Sequence, residues 1–316
     1  MLSAGALLSL AFLLTSVLGR SWKQCESYAG KEFLSGFNHL TIPDPTHGRV
    51  NYVSEATALK KNLTFAKHDT LILRADHKTK LSNHGPGRDS FRLMSKKTFT
   101  DHVSVWNVRH MPQGCGTWPA LWEFGAHWPA QGEIDVVEGV NGHGTNQMTL
   151  HTTAGCTVGG KRKMHGHSVK TNCDVAATGN AGCSVLDKAS KSYGHGFNHN
   201  GGGFFAMERS KTGVKVWFWP RHDKHTPHDV LKGEKKVNTA KWGTPAADFP
   251  SKSCNMAKHF GPHHIVINLS LCGDWAGQPS IFKKDGCHGS CAAHVNDNPS
   301  AFKDAFFDIA WLKVYH

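Results

Sequence analysis

Short alternations of apolar and polar residues, separated by glycine and proline, run through most of the chain. Segments of about five to eight residues with this period are typical of β-strands that bury one face. The pattern predicts strands at residues 69–75, 99–108, 134–140, 147–152, 203–207, 214–218, 264–271 and 306–314. No long amphipathic helix is evident. The sequence therefore predicts an all-β protein.

One apolar segment contains three acids. Residues 132–138 read Gly-Glu-Ile-Asp-Val-Val-Glu, although acids are poor strand residues and are rarely buried without a partner. Side chains alternate along a strand, so Glu133 and Asp135 share a face and Glu138 falls on the other. A β-bulge between Asp135 and Glu138 would bring all three onto one face. Two carboxylates flanking a cleft can hydrolyse a glycosidic bond; an edge strand with solvated acids is the alternative.

Three tryptophans, Trp118, Trp122 and Trp128, lie just before this segment. An indole can stack on the apolar face of a sugar ring while its N–H finds a polar partner. Each tryptophan taken alone is more often a core residue. Their density just before three carboxylates favours a carbohydrate site.

Several segments resemble a known family. Glu133-Ile-Asp-Val-Val-Glu138 resembles the signature of glycoside hydrolase family 16, in the form with one extra residue before the last Glu. Further segments are similar to secreted fungal laminarinase-type endo-β-1,3(4)-glucanases. They are Asp-Pro-Thr-His-Gly-Arg-Val-Asn-Tyr-Val (44–53), Arg-His-Met-Pro-Gln-Gly-Cys-Gly-Thr-Trp-Pro-Ala (109–120), Asn-Leu-Ser-Leu-Cys-Gly-Asp-Trp-Ala-Gly (268–277) and Asp-Ile-Ala-Trp-Leu-Lys-Val-Tyr (308–315).

This resemblance implies a two-sheet β-jelly-roll sandwich of the concanavalin-like type, with a substrate cleft across the concave sheet. It implies an endo-glucanase that acts with retention, with Glu133 as nucleophile and Glu138 as acid/base. Asp135 would lie between them and assist. A transglycosylase on the same scaffold and a non-catalytic glucan-binding protein are the alternatives, and intact Glu133 and Glu138 argue against the second. A sulfated-galactan hydrolase would suit the positive charge, but the laminarinase-like segments outweigh it.

Other residues are candidates for substrate contact. His151 follows on the next predicted strand, and Trp275 lies in a segment that resembles the family. Asn51 and Arg92 lie in segments that look like cleft strands. A surface or satisfied core role is the alternative for the histidine, and a surface salt bridge for Arg92.

The first nineteen residues are apolar and uncharged, which predicts a signal peptide at 1–19 and one domain at 20–316. The stretch is shorter than the roughly 20 residues of a membrane span, so a secreted protein without a membrane anchor is expected. Nine cysteines follow it, which fits an oxidising compartment. Four disulfides and an unpaired Cys25 are expected, while zinc is an alternative for Cys287 and Cys291.

The net charge of +12 comes from 36 Lys and Arg against 24 acids. The positive residues are scattered, which favours a solvated basic surface over a nucleic-acid site. A β-glucan is the expected partner of a monomer, with no cofactor or metal; a bound calcium ion cannot be inferred from the sequence. His222, His225 and His228 are read as a solvated run rather than a metal site. Of two sequons, at Asn62 and Asn268, the first is the better glycosylation candidate.

Overall fold

A computed structural model describes residues 21–316. The proposed signal peptide lies outside the described residues, as does residue 20, where the predicted domain begins. Within the described range, no helix is long and apolar enough to cross a membrane.

Strands dominate the described residues. In chain order they are β1 Ser21–Tyr28, β2 Phe37–His39, β3 Val50–Tyr52, β4 Thr64–Lys67, β5 Thr70–Arg74, β6 Arg88–Ser90, β7 Arg92–Phe99, β8 His102–His110, β9 Thr117–Gly125, β10 Glu133–Glu138, β11 Gln147–His151, β12 His167–Lys170, β13 Cys183–Leu186, β14 Gly203–Ser210, β15 Gly213–Pro220, β16 Lys236–Asn238, β17 Ala247–Pro250, β18 His263–Leu271 and β19 Phe306–Tyr315.

Helices are short and lie in the connections. The α-helices are α1 Glu32–Gly36, α2 Glu55–Lys60, α3 Val175–Thr178, α4 Gly194–His199, α5 His228–Lys232, α6 Met256–His259, α7 Gly273–Ala276, α8 Pro279–Lys284 and α9 Cys291–Asp297. Three 3₁₀ turns are Thr239–Lys241, Ser251–Ser253 and Pro299–Phe302. The described helices are too short to be stable alone, so packing against the sheets must hold them.

Two large antiparallel sheets form the fold. The eight-stranded sheet has the order β12-β13-β11-β10-β9-β18-β7-β2. The nine-stranded sheet has the order β16-β1-β19-β8-β14-β15-β17, with β5 beside β19 and β4 beside β5. Strands β3 and β6 form a small parallel pair. This two-sheet sandwich confirms the predicted fold class.

The predicted strands agree with the observed ones except at residues 99–108. There, β7 ends at Phe99 and β8 begins at His102, and the two strands belong to different sheets. Strand β9 was missed because Pro119 and the buried Glu123 interrupt its apolar pattern. Thus the strand that carries Trp118 and Trp122 was not predicted.

An ionic cluster is buried on the core side of β9. Glu123 has Oε2 3.0 Å from His102 Nε2 of the other sheet and Oε1 3.0 Å from His263 Nδ1. Burial alone would raise the pKa of Glu123, but His102 and His263 hold it well below its usual value. The Arg209 guanidinium lies 4.0 Å from Glu123 Oε1 and donates to the carbonyls of Phe260 and Gly261. The cluster therefore ties the two sheets together.

The four predicted disulfides are present. They are Cys115–Cys287, Cys156–Cys254, Cys173–Cys183 and Cys272–Cys291. Cys25 is the free cysteine of the described residues, as predicted. The zinc alternative for Cys287 and Cys291 is wrong, because Cys287 is bonded to Cys115 and Cys291 is bonded to Cys272.

The two sequons differ in exposure. Asn62 is exposed and follows α2. Asn268 is only 6% exposed on β18, and its side-chain oxygen accepts a hydrogen bond from Trp122. We therefore expect only Asn62 to be accessible for glycosylation.

Disulfide stabilisation should depend on the length of chain that each bridge closes. The Cys115–Cys287 bridge has a sequence separation of 172, and Cys173–Cys183 one of 10. Replacing both cysteines by alanine should cost about 4–5 kcal/mol for the first bridge and about 3 for the second, because the longer loop loses more entropy when closed. Urea unfolding of the two double variants measures the difference. Equal losses would contradict this expectation.

Candidate active site

The predicted bulge occurs in β10. Against β9, Asp135 pairs with Trp122 and Val137 pairs with Leu121, so the register shifts by one residue at Val136. Ile134 and Val137 then both face the core. This shift corrects the parity of the strand, as the sequence predicted.

Neighbouring strands contribute to the outer face of the sheet around these acids. Glu133 pairs with His151 of β11, and Asp135 pairs with Trp122 of β9. His151 Nε2 lies 3.3 Å from Asp135 Oδ2 and 3.7 Å from Glu133 Oε1. Glu133, Asp135 and His151 therefore form one cluster.

Two tryptophans form the surface beside Glu138. Trp118 donates its indole N–H to Glu138 Oε1 at 2.9 Å. Trp275, at the start of the segment after β18, packs edge-on against Trp118 with ring centroids 5.7 Å apart. This brings Trp275 to the acids although it is more than a hundred residues away in the chain.

Trp122 is held by a chain of hydrogen bonds. Its indole N–H donates to Asn268 Oδ1 at 2.7 Å, and Asn268 Nδ2 lies 3.4 Å from the Tyr52 hydroxyl. Tyr52 in turn donates to Asp44 Oδ1 at 3.1 Å. The Arg92 guanidinium lies 5.0 Å above the Trp122 ring, so Arg92 belongs to this face.

Three residues of this series of hydrogen bonds were not predicted from the sequence. Tyr52 and Asp44 lie in a family-like segment, and Asn268 lies in another and in a sequon, but the sequence assigns none of the three a role in the site. The alternation of β18 could have identified Asn268. Its neighbours Ile267 and Leu269 face the core, so Asn268 must lie on the opposite face, together with Ser270. No local pattern marks Tyr52, because its link to the site runs through Asn268, which is distant in sequence.

Trp128 is the most exposed of the three upstream tryptophans, at 44%. Burial raises the pKa of Glu133, and the indole N–H of Trp128 opposes this rise, which places the ring near that acid. Trp128 is thus an exposed ring beside Glu133, which suits contact with a ligand.

Asn51 is less directly connected to the acids. Its amide donates to Asp89 Oδ1 at 2.6 Å, within the β3–β6 pair. It is the next residue, Tyr52, that contacts Asn268 and lies near Arg92. Substrate contact by Asn51 stays a prediction.

The acids share an environment that disfavours negative charge. Burial and the charge of Asp135 raise the pKa of Glu133 to about 7 and that of Glu138 to about 8. The Trp118 hydrogen bond opposes the rise at Glu138. Both carboxyls therefore keep their protons to higher pH than an ordinary glutamate does.

Burial lowers the pKa of His151, but the charges of Glu133 and Asp135 outweigh it and raise this pKa to about 9. The ligand atoms of Glu133, Asp135 and His151 lie within 4.8 Å of one another, so this cluster could hold a metal ion. A metal-binding imidazole must be neutral. The raised pKa of His151 favours an ion pair with the two acids instead.

Other candidate positions lie apart from the acids. His222, His225 and His228 are exposed, and His225 and His228 pair with different acids, Asp223 and Glu234. A recess of about 600 Å³ lies on the nine-stranded sheet beside Arg109 and Trp311. The Arg109 guanidinium there is already paired with Asp308 and Asp69.

Residues 37–315 match the family model described as XgeA-like, catalytic GH16 domain. The chain therefore belongs to glycoside hydrolase family 16 and is a glycoside hydrolase. It is 39% identical over 300 residues to an endo-1,3(4)-β-glucanase of Arthroderma benhamiae, covering 92% of this chain and 64% of that protein. Several Aspergillus relatives named probable endo-1,3(4)-β-glucanase are covered over about half of their length.

Solved structures show the same fold. Laminarinase 16A from Phanerochaete chrysosporium, with two 6-O-glucosyl-laminaritriose molecules in its donor and acceptor sites, is 54% identical to this chain. The TM-score is 0.93, with 94% of this chain and all of that chain covered. An elongating family 16 β-1,3-glucosyltransferase is 34% identical, with a TM-score of 0.87 over 93% of this chain and all of that chain.

Removing the charge of Asp135 should lower the pKa of Glu138. In Asp135→Asn the repulsion that raises this pKa disappears, and it acts more strongly on Glu138 than the opposing charge of His151. A ¹³C NMR titration of labelled glutamate carboxyls should therefore show Glu138 losing its proton at lower pH than in the wild type. Asp248→Asn, which removes an acid on β17 of the other sheet, is the control. An unchanged or higher Glu138 pKa would contradict the expectation.

Proposed function

We propose that the protein hydrolyses internal β-1,3 and mixed β-1,3/1,4 glucosidic bonds of β-glucans with retention of configuration. The observation that carries this proposal is the bulge at Val136, which allows Glu133, Asp135 and Glu138 to act from one face beside Trp118 and Trp128. The similarity to laminarinase 16A over 94% of the chain supports a β-1,3-glucan as substrate.

In the proposed mechanism, Glu133 attacks the anomeric carbon while Glu138 gives its proton to the departing glucosidic oxygen. The deprotonated Glu138 then takes a proton from water, which attacks the glucosyl-enzyme and releases the product with retention. The raised pKa of Glu138 suits the acid, because its carboxyl keeps a proton near neutral pH. Asp135 and His151 adjust the charge around Glu133, and the tryptophans provide stacking surfaces for glucose rings.

Transglycosylation is the second candidate, favoured by the similarity to the β-1,3-glucosyltransferase. A sugar hydroxyl would replace water in the second step, and the same residues would act. We also infer that the protein acts outside the cell as a monomer, with a signal peptide at 1–19 and one catalytic domain at 20–316. Four disulfides support the oxidising compartment.

Product analysis tests the substrate and separates the two reactions. Incubation with laminarin and with lichenan should release short oligosaccharides from within the chains of at least one polymer, as measured by mass spectrometry and chromatography. When a laminari-oligosaccharide is the substrate, products longer than that substrate would favour transglycosylation. Endo-cleavage of neither polymer would contradict the proposed function.

Azide should distinguish the two glutamates. Both Glu133→Ala and Glu138→Ala should lose nearly all laminarin hydrolysis, because nucleophile and acid act in the same step. On an aryl β-glycoside with a good leaving group, the Glu138 variant should still form the glucosyl-enzyme and then stall without a base. Azide should restore its turnover and give a β-glycosyl azide after two inversions.

In the Glu133 variant, azide should occupy the space of the lost carboxylate and give an α-glycosyl azide after one inversion. NMR of the anomeric proton distinguishes the two products. Exchanged anomers would reverse the assignment of nucleophile and acid/base. Wild-type activity in either variant would refute the two-carboxylate mechanism.

A further inference from the structure

The bulge leaves part of β10 without a partner on one side. Strand β11 pairs only with Glu133–Asp135, through His151, Leu150 and Thr149. From Val136 onward, main-chain pairing of β10 is with β9 alone. Buried N–H and C=O groups without partners are costly, so the β11 side of this segment needs another donor and acceptor.

The side chain of Asn146 supplies both. Its Oδ1 accepts a hydrogen bond from the Glu138 N–H at 3.0 Å, and its Nδ2 donates to the Val136 carbonyl at 2.8 Å. One amide side chain thus pairs with the main chain on both sides of Val137, as a strand residue would. Asn146 is fully buried, so water cannot easily replace these bonds.

Asn146 is itself fixed at both main-chain groups. Its N–H donates to the Ser192 hydroxyl at 3.0 Å, and its carbonyl accepts from the Asp187 N–H at 2.9 Å. The side chain therefore has little freedom to follow the bulge if the bulge relaxes. Its position sets where the main chain of Glu138 lies.

Glu138 is then fixed at two points. Asn146 holds its main-chain N–H, and Trp118 holds its carboxylate oxygen Oε1. Glu133 depends on a different support, because its main chain belongs to the β10–β11 ladder. A change at Asn146 should therefore move Glu138 more than Glu133.

We propose that Asn146 is a positioning residue, which holds the β10 bulge so that Glu138 can protonate the leaving group. This inference rests on the proposed function of Glu138. It predicts a selective defect in acid catalysis, since a misplacement of about 1 Å can reduce a rate about 10²-fold. A residue that only stabilises the fold would reduce all reactions alike.

The test compares two substrates by kcat/KM, which reports steps up to the first irreversible one. A laminari-oligosaccharide needs proton donation to its leaving group, whereas a dinitrophenyl β-laminaribioside needs almost none. For Asn146→Ala, kcat/KM should fall about 10²-fold on the oligosaccharide and less than about 10-fold on the aryl glycoside. Equal falls on both substrates, or no fall, would overturn the proposal.

Two further variants keep the test decisive. Asn146→Asp retains the shape and an acceptor for the Glu138 N–H but loses the donor to Val136, so the same selective fall is expected if Asn146→Ala does not fold. Asn198→Ala is the matched control, because the Asn198 amide also bonds one main-chain N–H and one carbonyl, both of Met111. It should change the two kcat/KM values by the same factor. A selective fall in Asn198→Ala would contradict the specific role of Asn146.

The wild-type enzyme distinguishes a failure of the proposed function from a failure of the proposed role of Asn146. If it cleaves neither substrate, the proposed function fails. If it cleaves both and the Asn146 variants show no selective loss, only the role of Asn146 fails.

Discussion

The alternation of side chains along a β-strand is the constraint on which the site depends. Three carboxylates within the six residues of β10 can share a face only if the strand gains one residue against its neighbour. That gain occurs at Val136, and it coincides with the end of the β11 ladder at Asp135. The geometry that brings Glu138 to the acids is thus the geometry that leaves main-chain groups unpaired, and the Asn146 amide satisfies them.

Neighbouring charges shift the pKa values of two glutamates, Glu123 and Glu138, in opposite directions. Glu123 and Glu138 are both acids on adjacent strands of one sheet. On the core side, His102 and His263 lower the pKa of Glu123 despite its burial. On the outer face, burial and the charges of Asp135 and Glu133 raise the pKa of Glu138. Local partners, rather than burial alone, decide which carboxyl can act as an acid near neutral pH.

Local partners also orient the tryptophans beside the acids. Trp118 is oriented by Glu138, and Trp122 by Asn268, so each indole is fixed through its one polar atom. Tyr52 and Asp44 extend the second arrangement into the loop before β3. The N–H groups of both indoles are therefore satisfied inside the protein.

The sequence by itself determined the all-β class, the family and the need for a bulge, because strand period and acid spacing are local properties. The odd number of cysteines required one to be unpaired, and the place of Cys25 near the N-terminus and outside the family-like segments identified it. It failed at residues 99–108, where a short link joins two sheets, and at β9, where Pro119 and Glu123 hide an otherwise regular strand. The tertiary structure alone explains Glu123, since His102 and His263 come from other strands.

Only the tertiary structure decided the supports of the site. Asn268 begins a sequon, and only the structure shows that its amide oxygen accepts a hydrogen bond from Trp122, 146 residues away in the chain. Asn146 carries no signal in its own neighbourhood, because its role depends on where β11 stops relative to β10. Which acids lie near each other follows from strand periodicity. Which side chains hold them there depends on packing between distant segments, and no local pattern encodes it.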